Sequence, residues 1–246
     1  MADEEQILRA IFGDSSVSED ENSFSCGVFS LRTGETSCWE QIKEINGLWL
    51  CRNFLTPERQ SSLLSAIESE GWFTEASHNQ AMRFGDLPNW AIELTGFIRV
   101  SVLEFIGDSN KEEPLAPNIL WREPLFDQLI VNVYQAGEGI CGHTDLLRFD
   151  DGIAIVSLES ACVMHFTQVG RGDCVDDNVK QDKEICSILK VPVLLSPGTL
   201  VLMSGEARYI WKHEINRMQG CQVWEGVELE QKKRTSVTLR KLCRLS

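Results

Sequence analysis

The feature that most limits how this chain can fold is its C-terminal half. From Asp127 onward it reads as short β-prone runs broken by turns: Gln128–Tyr134, Gly152–Ser157, Cys162–Thr167, Leu189–Leu195, Thr199–Met203 and Arg234–Leu242. Strands at this close spacing predict a sandwich or barrel. Helical signals come earlier. Leu48-Trp49-Leu50 reads as a strand, and Thr56-Pro57-Glu58 then opens a helix with Thr as N-cap and Pro at its first position. Leu63, Leu64 and Ile67 supply that helix with an apolar face, and Gly71 ends it. A second helix is expected over Trp90–Phe105, and the polar stretch from His78 to Asp86 reads as a loop. Helices first and strands after argue for an α+β domain. The chain of 246 residues is long enough for one domain with a sizeable core, or two small ones.

The last strand carries the sharpest pattern. In Arg234-Thr235-Ser236-Val237-Thr238-Leu239-Arg240 the side chains alternate strictly. Arg234, Ser236, Thr238 and Arg240 share one face; Thr235, Val237 and Leu239 share the other. With Val237 and Leu239 against a hydrophobic layer, the polar four line a cavity or face solvent. Two arginines on one face suit a dicarboxylate, because guanidinium grips carboxylate bidentately. Their Cα atoms lie about 20 Å apart in an extended strand, so both touch one small ligand only if the side chains converge. Asn132 and Tyr134 form a second polar pair on one face of their own strand.

Four histidines occur, at 78, 143, 165 and 213. In Cys141-Gly142-His143-Thr144-Asp145 an imidazole and a carboxylate stand two residues apart, and extended backbone turns both to one side. His213 follows the Thr199–Met203 run and is the candidate third ligand. Two histidines and one carboxylate on one side of a metal leave positions open, which suits Fe(II) and oxygen chemistry. His165, between Met164 and Phe166, reads as a core or supporting residue, and His78 as solvated.

Composition sets the outer bounds. A net charge of −14 argues against a protein that coats bulk DNA, since phosphate neutralisation supplies most non-specific affinity. A local basic patch remains compatible with a specific nucleic acid, and Arg83, Arg52, Arg99 and Lys212 are candidates for one. The nine cysteines are irregularly spaced with no C-x-x-C pair, so neither a disulfide framework nor a zinc finger is expected. No apolar run approaches the ~18 residues of a membrane span. The acidic start Met1-Ala2-Asp3-Glu4-Glu5 lacks a secretory or transit signal, so cytoplasm and nucleus are the expected compartments. Residues 1–40 read as an acidic segment, with a short amphipathic helix over Glu4–Phe12 and a disordered stretch from Asp14 to Ser23. A second acidic stretch runs from Gly170 to Cys186, and its Arg171-Gly172-Asp173 triplet reads as chance.

Taken in order, Asn132-x-Tyr134, His143-x-Asp145, His213 and Arg234-x5-Arg240 resemble the AlkB family of Fe(II)/2-oxoglutarate-dependent dioxygenases. Residues 199–216, Thr-Leu-Val-Leu-Met-Ser-Gly-Glu-Ala-Arg-Tyr-Ile-Trp-Lys-His-Glu-Ile-Asn, are especially similar to the family's tRNA-modifying domain, and Gly47–Trp72 to its N-terminal opening. The resemblance implies a double-stranded β-helix (jelly-roll) core over residues 41–246, with N-terminal helices and a substrate-recognition lid. It implies Fe(II), 2-oxoglutarate and O2 as the cofactor set, with iron on His143, Asp145 and His213. Arg234, helped by Tyr134 and with Ser236 on the same face, would hold the distal carboxylate of 2-oxoglutarate. Asn132 and Arg240 would lie near its metal-chelating end. Arg83 and Phe84 match the lid, and Arg208 a position close to the substrate base.

The expected function is therefore oxidation of a modified nucleobase by a monomeric enzyme, in RNA or tRNA rather than DNA. The alternatives are a protein hydroxylase or demethylase on the same scaffold, and a non-catalytic module docking a protein partner through its acidic segments.

Overall fold

The computed structural model describes residues 38–75, 78–107, 113–169 and 189–243. The expected Glu4–Phe12 helix, the acidic stretch after it and the 170–186 segment with its Arg171-Gly172-Asp173 triplet lie outside the described residues. The elements run in the order β1 (Cys38–Gln41), β2 (Leu48–Arg52), α1 (Pro57–Ser69), β3 (Gln80–Phe84), α2 (Asn89–Gly107), α3 (Pro117–Leu120), β4 (Gln128–Tyr134) and β5 (Ile140–His143). There follow β6 (Ile153–Leu158), β7 (Cys162–Gln168), β8 (Lys190–Leu195), β9 (Leu200–Met203), α4 (Glu206–Tyr209), β10 (Trp211–Ile215), β11 (Val223–Trp224), β12 (Val227–Glu228) and β13 (Arg234–Arg240). Strand β1, which starts before position 41, belongs to the large sheet.

Local sequence explains the helices. The Thr56 hydroxyl accepts from the Arg59 amide at 3.4 Å and Pro57 takes the first turn of α1, where its missing N–H costs nothing. Gly71 leaves the helix at φ +67°, a conformation that a side chain resists. In α2 the buried residues Trp90, Leu94, Phe97, Ile98, Ser101 and Val102 recur at three- and four-residue spacing and form one stripe.

Two sheets face each other as a jelly roll. The larger has the order β1-β2-β9-β6-β13-β4-β3, and the smaller β5-β10-β7-β8. One face of the large sheet packs on α1 and α2, where Val237 and Leu239 join Leu63, Leu94 and Ile98 in a fully buried cluster. Each such side chain removed from water contributes roughly 1.5–3 kcal/mol before chain entropy is counted. The other face meets the small sheet through Leu48, Ile155, Met164, Phe166, Val193 and Met203. Pro192 is tolerated in β8 because β8 is the edge strand of the small sheet.

Hydrocarbon therefore fills the β2-β9-β6 end of the space between the sheets. At the other end β13 and β4 present polar residues instead. The polar four of β13 do face inward, and the register pairs Arg234 with Tyr134 and Ser236 with Asn132.

Strands β1, β3, β5, β10, β11 and β12 lie outside the runs expected from sequence. The stretch expected as a polar loop contains β3, an edge strand paired to β4 along its length, with Gln80 opposite Asn132 and Phe84 opposite Gln128. Strands β5 and β10 are short, and they pair with each other at His143 and His213. At Gly139 the backbone leads into β5 so close to β10 that a Cβ would stand 1.9 Å from the Ile215 carbonyl oxygen. Only glycine fits there.

Candidate active site

His143 ends β5, His213 sits mid-way along β10, and their direct pairing brings the two imidazoles together with ring centroids 4.4 Å apart and planes tilted by 50°. Asp145 lies just beyond β5 and turns its carboxylate to the same place. One ligand atom from each of the three lies within 4.8 Å of the others. Asp145 Oδ2 and His213 Nε2 are 3.8 Å apart, too far for a hydrogen bond. Asp145 and His213 are buried, and His143 is half-buried.

The protonation of both imidazoles suits metal binding. His143 Nδ1 lies 2.8 Å from the Cys141 carbonyl oxygen, which only a protonated nitrogen can satisfy, so Nε2 is left as the free donor. Burial pulls the pKa of His213 down to about 4, with Asp145 opposing and the charges of His143, Arg240 and Arg208 adding to the fall. The ring is therefore neutral near pH 7, the form that binds a metal.

Arg240 Nη2 stands 2.6 Å from Asp145 Oδ1, an ion pair without hydrogen-bond alignment. At the other end of β13, Arg234 is 1% exposed. Its Nε donates to Ser157 Oγ at 3.1 Å, its Nη2 has no partner, and no carboxylate among the described residues pairs with it. A buried guanidinium without a counter-ion is costly unless a ligand brings one. Tyr134 faces it, ring centroid 5.6 Å from the guanidinium carbon. Burial pushes the Tyr134 phenol up, against the opposing pull of Arg234 and a hydrogen bond with Ser236, so it stays a donor. Asn132 is held by Gln80 Nε2, which donates to its Oδ1 at 2.6 Å. Ile140, Ile155, Met164 and Ile215 complete the lining of this cavity. The two arginines thus serve opposite ends of the cavity and do not converge.

Two oxygen-free donors, one carboxylate and an orphaned arginine in one dry pocket fit Fe(II) and a small diacid. A family model described as the 2OG-Fe(II) oxygenase superfamily matches residues 103–240, which include His143, Asp145, His213 and both arginines. The chain belongs to the 2OG-Fe(II) oxygenase superfamily. Its cofactor set is Fe(II), 2-oxoglutarate and O2.

Among this oxygenase's relatives, the Arabidopsis thaliana alkylated DNA repair protein ALKBH8 homolog is 28% identical over 216 residues, 80% of this chain. The Xenopus tropicalis tRNA (carboxymethyluridine(34)-5-O)-methyltransferase alkbh8 is 27% identical over 202 residues, 73% of this chain. The oxygenase spans 59% of the first relative's length and 27% of the second's. The solved structure of OsALKBH1 superposes with a TM-score of 0.54 over 79% of this chain and 98% of its own, at 14% identity, and so shares the fold. These likenesses place the oxygenase among the AlkB homologues.

The residues expected to meet substrate divide. Phe84 is 46% exposed on the cavity side of β3, as is Met82. Arg83 is not on that side: strand alternation turns it to the helical face, where its guanidinium lies 4.4 Å from the Trp72 ring. Arg208 does not reach a substrate either. It is 2% exposed and bonded to backbone carbonyls. The expected basic patch does not assemble, because Glu40 takes Arg52 and Glu123 takes Arg99. His165 points away from the cavity, on the outer face of the small sheet beside Glu214 and Lys190.

Sequence reasoning did not find Ser157 or Gln80, whose roles depend on strand neighbours far away in the chain. Arg148 was also missed. Its guanidinium lies 5.8 Å from the Phe84 ring and 5.0 Å from the Phe149 ring, and the Arg240 guanidinium lies 4.8 Å from the same Phe149 ring. Cysteines 51, 141, 162, 221 and 243 are free, and no helix among the described residues is long and apolar enough to cross a membrane.

Proposed function

We propose that the chain hydroxylates a carbon on a modified nucleobase, in RNA rather than DNA. In this reading His143, Asp145 and His213 hold the iron. Arg234, Tyr134 and Ser236 take the distal carboxylate of 2-oxoglutarate, and Asn132 and Arg240 flank its chelating end. When bound, iron with 2-oxoglutarate and O2 supplies the oxidation of a C–H bond, with release of succinate and CO2. The protein's own part is to orient the diacid through Arg234 and to keep the cavity dry with Ile140, Ile155, Met164 and Ile215. A hydroxylated N-methyl group would leave as formaldehyde; a carbon-linked group would keep its hydroxyl.

The observation that carries the choice of a planar substrate is the ladder Phe84–Arg148–Phe149–Arg240 leading from the exposed lid strand to Asp145. An exposed ring backed by a guanidinium is a stacking surface for a base, worth roughly 1–3 kcal/mol by truncation. The printed names of the relatives, a DNA repair protein homolog and a tRNA methyltransferase, support nucleic acid. Succinate release should rise with a total tRNA pool and not with peptides. Phe84→Ala should raise the apparent KM for that RNA roughly tenfold, within the range of one lost stacking contact, while substrate-free succinate release stays as it was.

A polypeptide substrate is the second reading. Leu146 and Leu147 are 60% and 79% exposed beside Asp145, and the net charge is −14. An exposed apolar pair of this kind also fits a peptide side chain. Stimulation of succinate release by peptides alone would select it over RNA.

A further inference from the structure

We propose that Arg208 is a positioning residue that holds the loop of Asp145 in its metal-binding shape before any metal arrives. The proposal rests on reading His143, Asp145 and His213 as the metal triad.

Arg208 lies in α4, five residues ahead of His213, and is almost fully buried. Its Nη1 donates to the Asp145 carbonyl oxygen at 3.0 Å. Its Nη2 donates to the Leu146 carbonyl at 2.8 Å and to the Phe149 carbonyl at 2.9 Å. All three acceptors belong to one five-residue loop, and the first is the backbone of the ligand itself. No carboxylate among the described residues pairs with this cation, so carbonyl dipoles and the face of the Tyr209 ring, 4.8 Å from the guanidinium carbon, compensate its burial. Such an arrangement is a poor choice for stability alone, where hydrocarbon of the same volume would serve as well or better.

The loop needs an outside restraint. Its tip residues Leu146 and Leu147 are exposed while Asp145 and Phe149 are buried, and outside α4 the C-terminal segment reaches it through the Cys243 amide, which donates to the Arg148 carbonyl at 2.9 Å. Its own backbone offers one turn bond, from the Phe149 amide to the Leu146 carbonyl at 3.0 Å. The clamp is itself fixed. The Ala207 amide donates to the Asn46 carbonyl at 3.0 Å, and the Gly205 amide donates to the Asp151 carboxylate at 2.9 and 3.1 Å. One short segment thus delivers His213 and, through Arg208, sets where Asp145 stands relative to it. A planar fork reaches three carbonyls at once; a single ammonium does not.

The test compares the unmodified chain with Arg208→Lys and Arg208→Met. Mn(II) titration followed by the EPR signal of the free ion reads metal affinity without turnover. Hydrogen exchange at the Phe149 amide reads the loop, and thermal melting reads the fold. Both variants should bind Mn(II) roughly 10–100-fold more weakly, the usual cost of losing a group that orients a ligand. The Phe149 amide should exchange at least about tenfold faster in each. A folded variant with Mn(II) affinity within about twofold of the unmodified chain overturns the proposal. Should both variants fail to fold, exchange in the unmodified chain decides: slow exchange at Phe149 without metal, unchanged by Mn(II), supports a preset loop. Fast exchange that slows only when Mn(II) binds overturns it. If the unmodified chain binds no Mn(II), the triad assignment fails, and the exchange measurement still reads the clamp.

Discussion

Arg240 places Nη2 2.6 Å from one oxygen of Asp145 while the other oxygen faces His213 Nε2 at 3.8 Å. One carboxylate oxygen is thereby engaged by the guanidinium, and the other would be left for a metal. The Phe149 ring, 4.8 Å from the Arg240 guanidinium, holds that cation in place. Arg240→Gln should weaken Mn(II) binding by roughly 10–100-fold, because the carboxylate loses the group that orients it. Calorimetric titration checks this, and an unchanged affinity would show that Asp145 needs no such partner.

Arg234 is a buried cation waiting for an anion. Arg234→Met removes a charge that no carboxylate among the described residues neutralises, so the thermal midpoint of the ligand-free protein should not fall. The same variant should lose the stabilisation that 2-oxoglutarate gives the unmodified chain, about 2.7 kcal/mol at a hundred times Kd. Melting curves with and without the diacid, in the presence of Mn(II), separate the two effects. Equal stabilisation of both proteins would remove Arg234 from the diacid site.

The triad itself predicts loss of turnover without loss of fold. His143 is half-buried, and its Nδ1 bond to the Cys141 carbonyl is local, so His143→Ala should keep its circular dichroism while succinate release falls to background. Asp145→Asn keeps the shape beside Arg240 but removes the charge, and should do the same. Succinate release above a tenth or so of the original rate in either variant would contradict a three-ligand site.

His165 gives a pH dependence unrelated to the metal. Burial, and then the Lys190 ammonium, lower its pKa below the ordinary 6.5, against the weaker pull of Glu214. Above pH 6.5 the ring is neutral in both folded and unfolded chains. As the pH falls below 6.5 the unfolded chain takes up the proton first, so stability is lost down to the lower folded pKa. His165→Gln should flatten the fall in urea midpoint between about pH 7 and 5. An identical slope in both proteins would assign that pH dependence to other groups.

Much of this oxygenase is legible in the sequence by itself. Thr56-Pro57 announces α1, and the alternation of Arg234–Arg240 sorts a cavity face from a core face, because strand geometry has a period of two whatever lies around it. His143 and Asp145 two residues apart, with His213 and the two arginines in order, were enough to point to the metal and the diacid. Those signals are local, or they are ordered motifs.

What tertiary structure decided is which side each residue faces and what it meets there. Arg83 and Phe84 are neighbours in β3, yet the pairing of β3 with β4 sends one to the helices and the other to the cavity mouth. Arg208 is expected from the resemblance to lie close to the substrate base, and folding buries it against three carbonyls some sixty positions earlier in the chain. Arg234 and Arg240 share a face but part to opposite ends of the pocket, since Ser157 and Asp145 come from different strands and loops. Sequence patterns carry periodicity and chemical type; long-range strand pairing carries register and partner, and a site is made of partners.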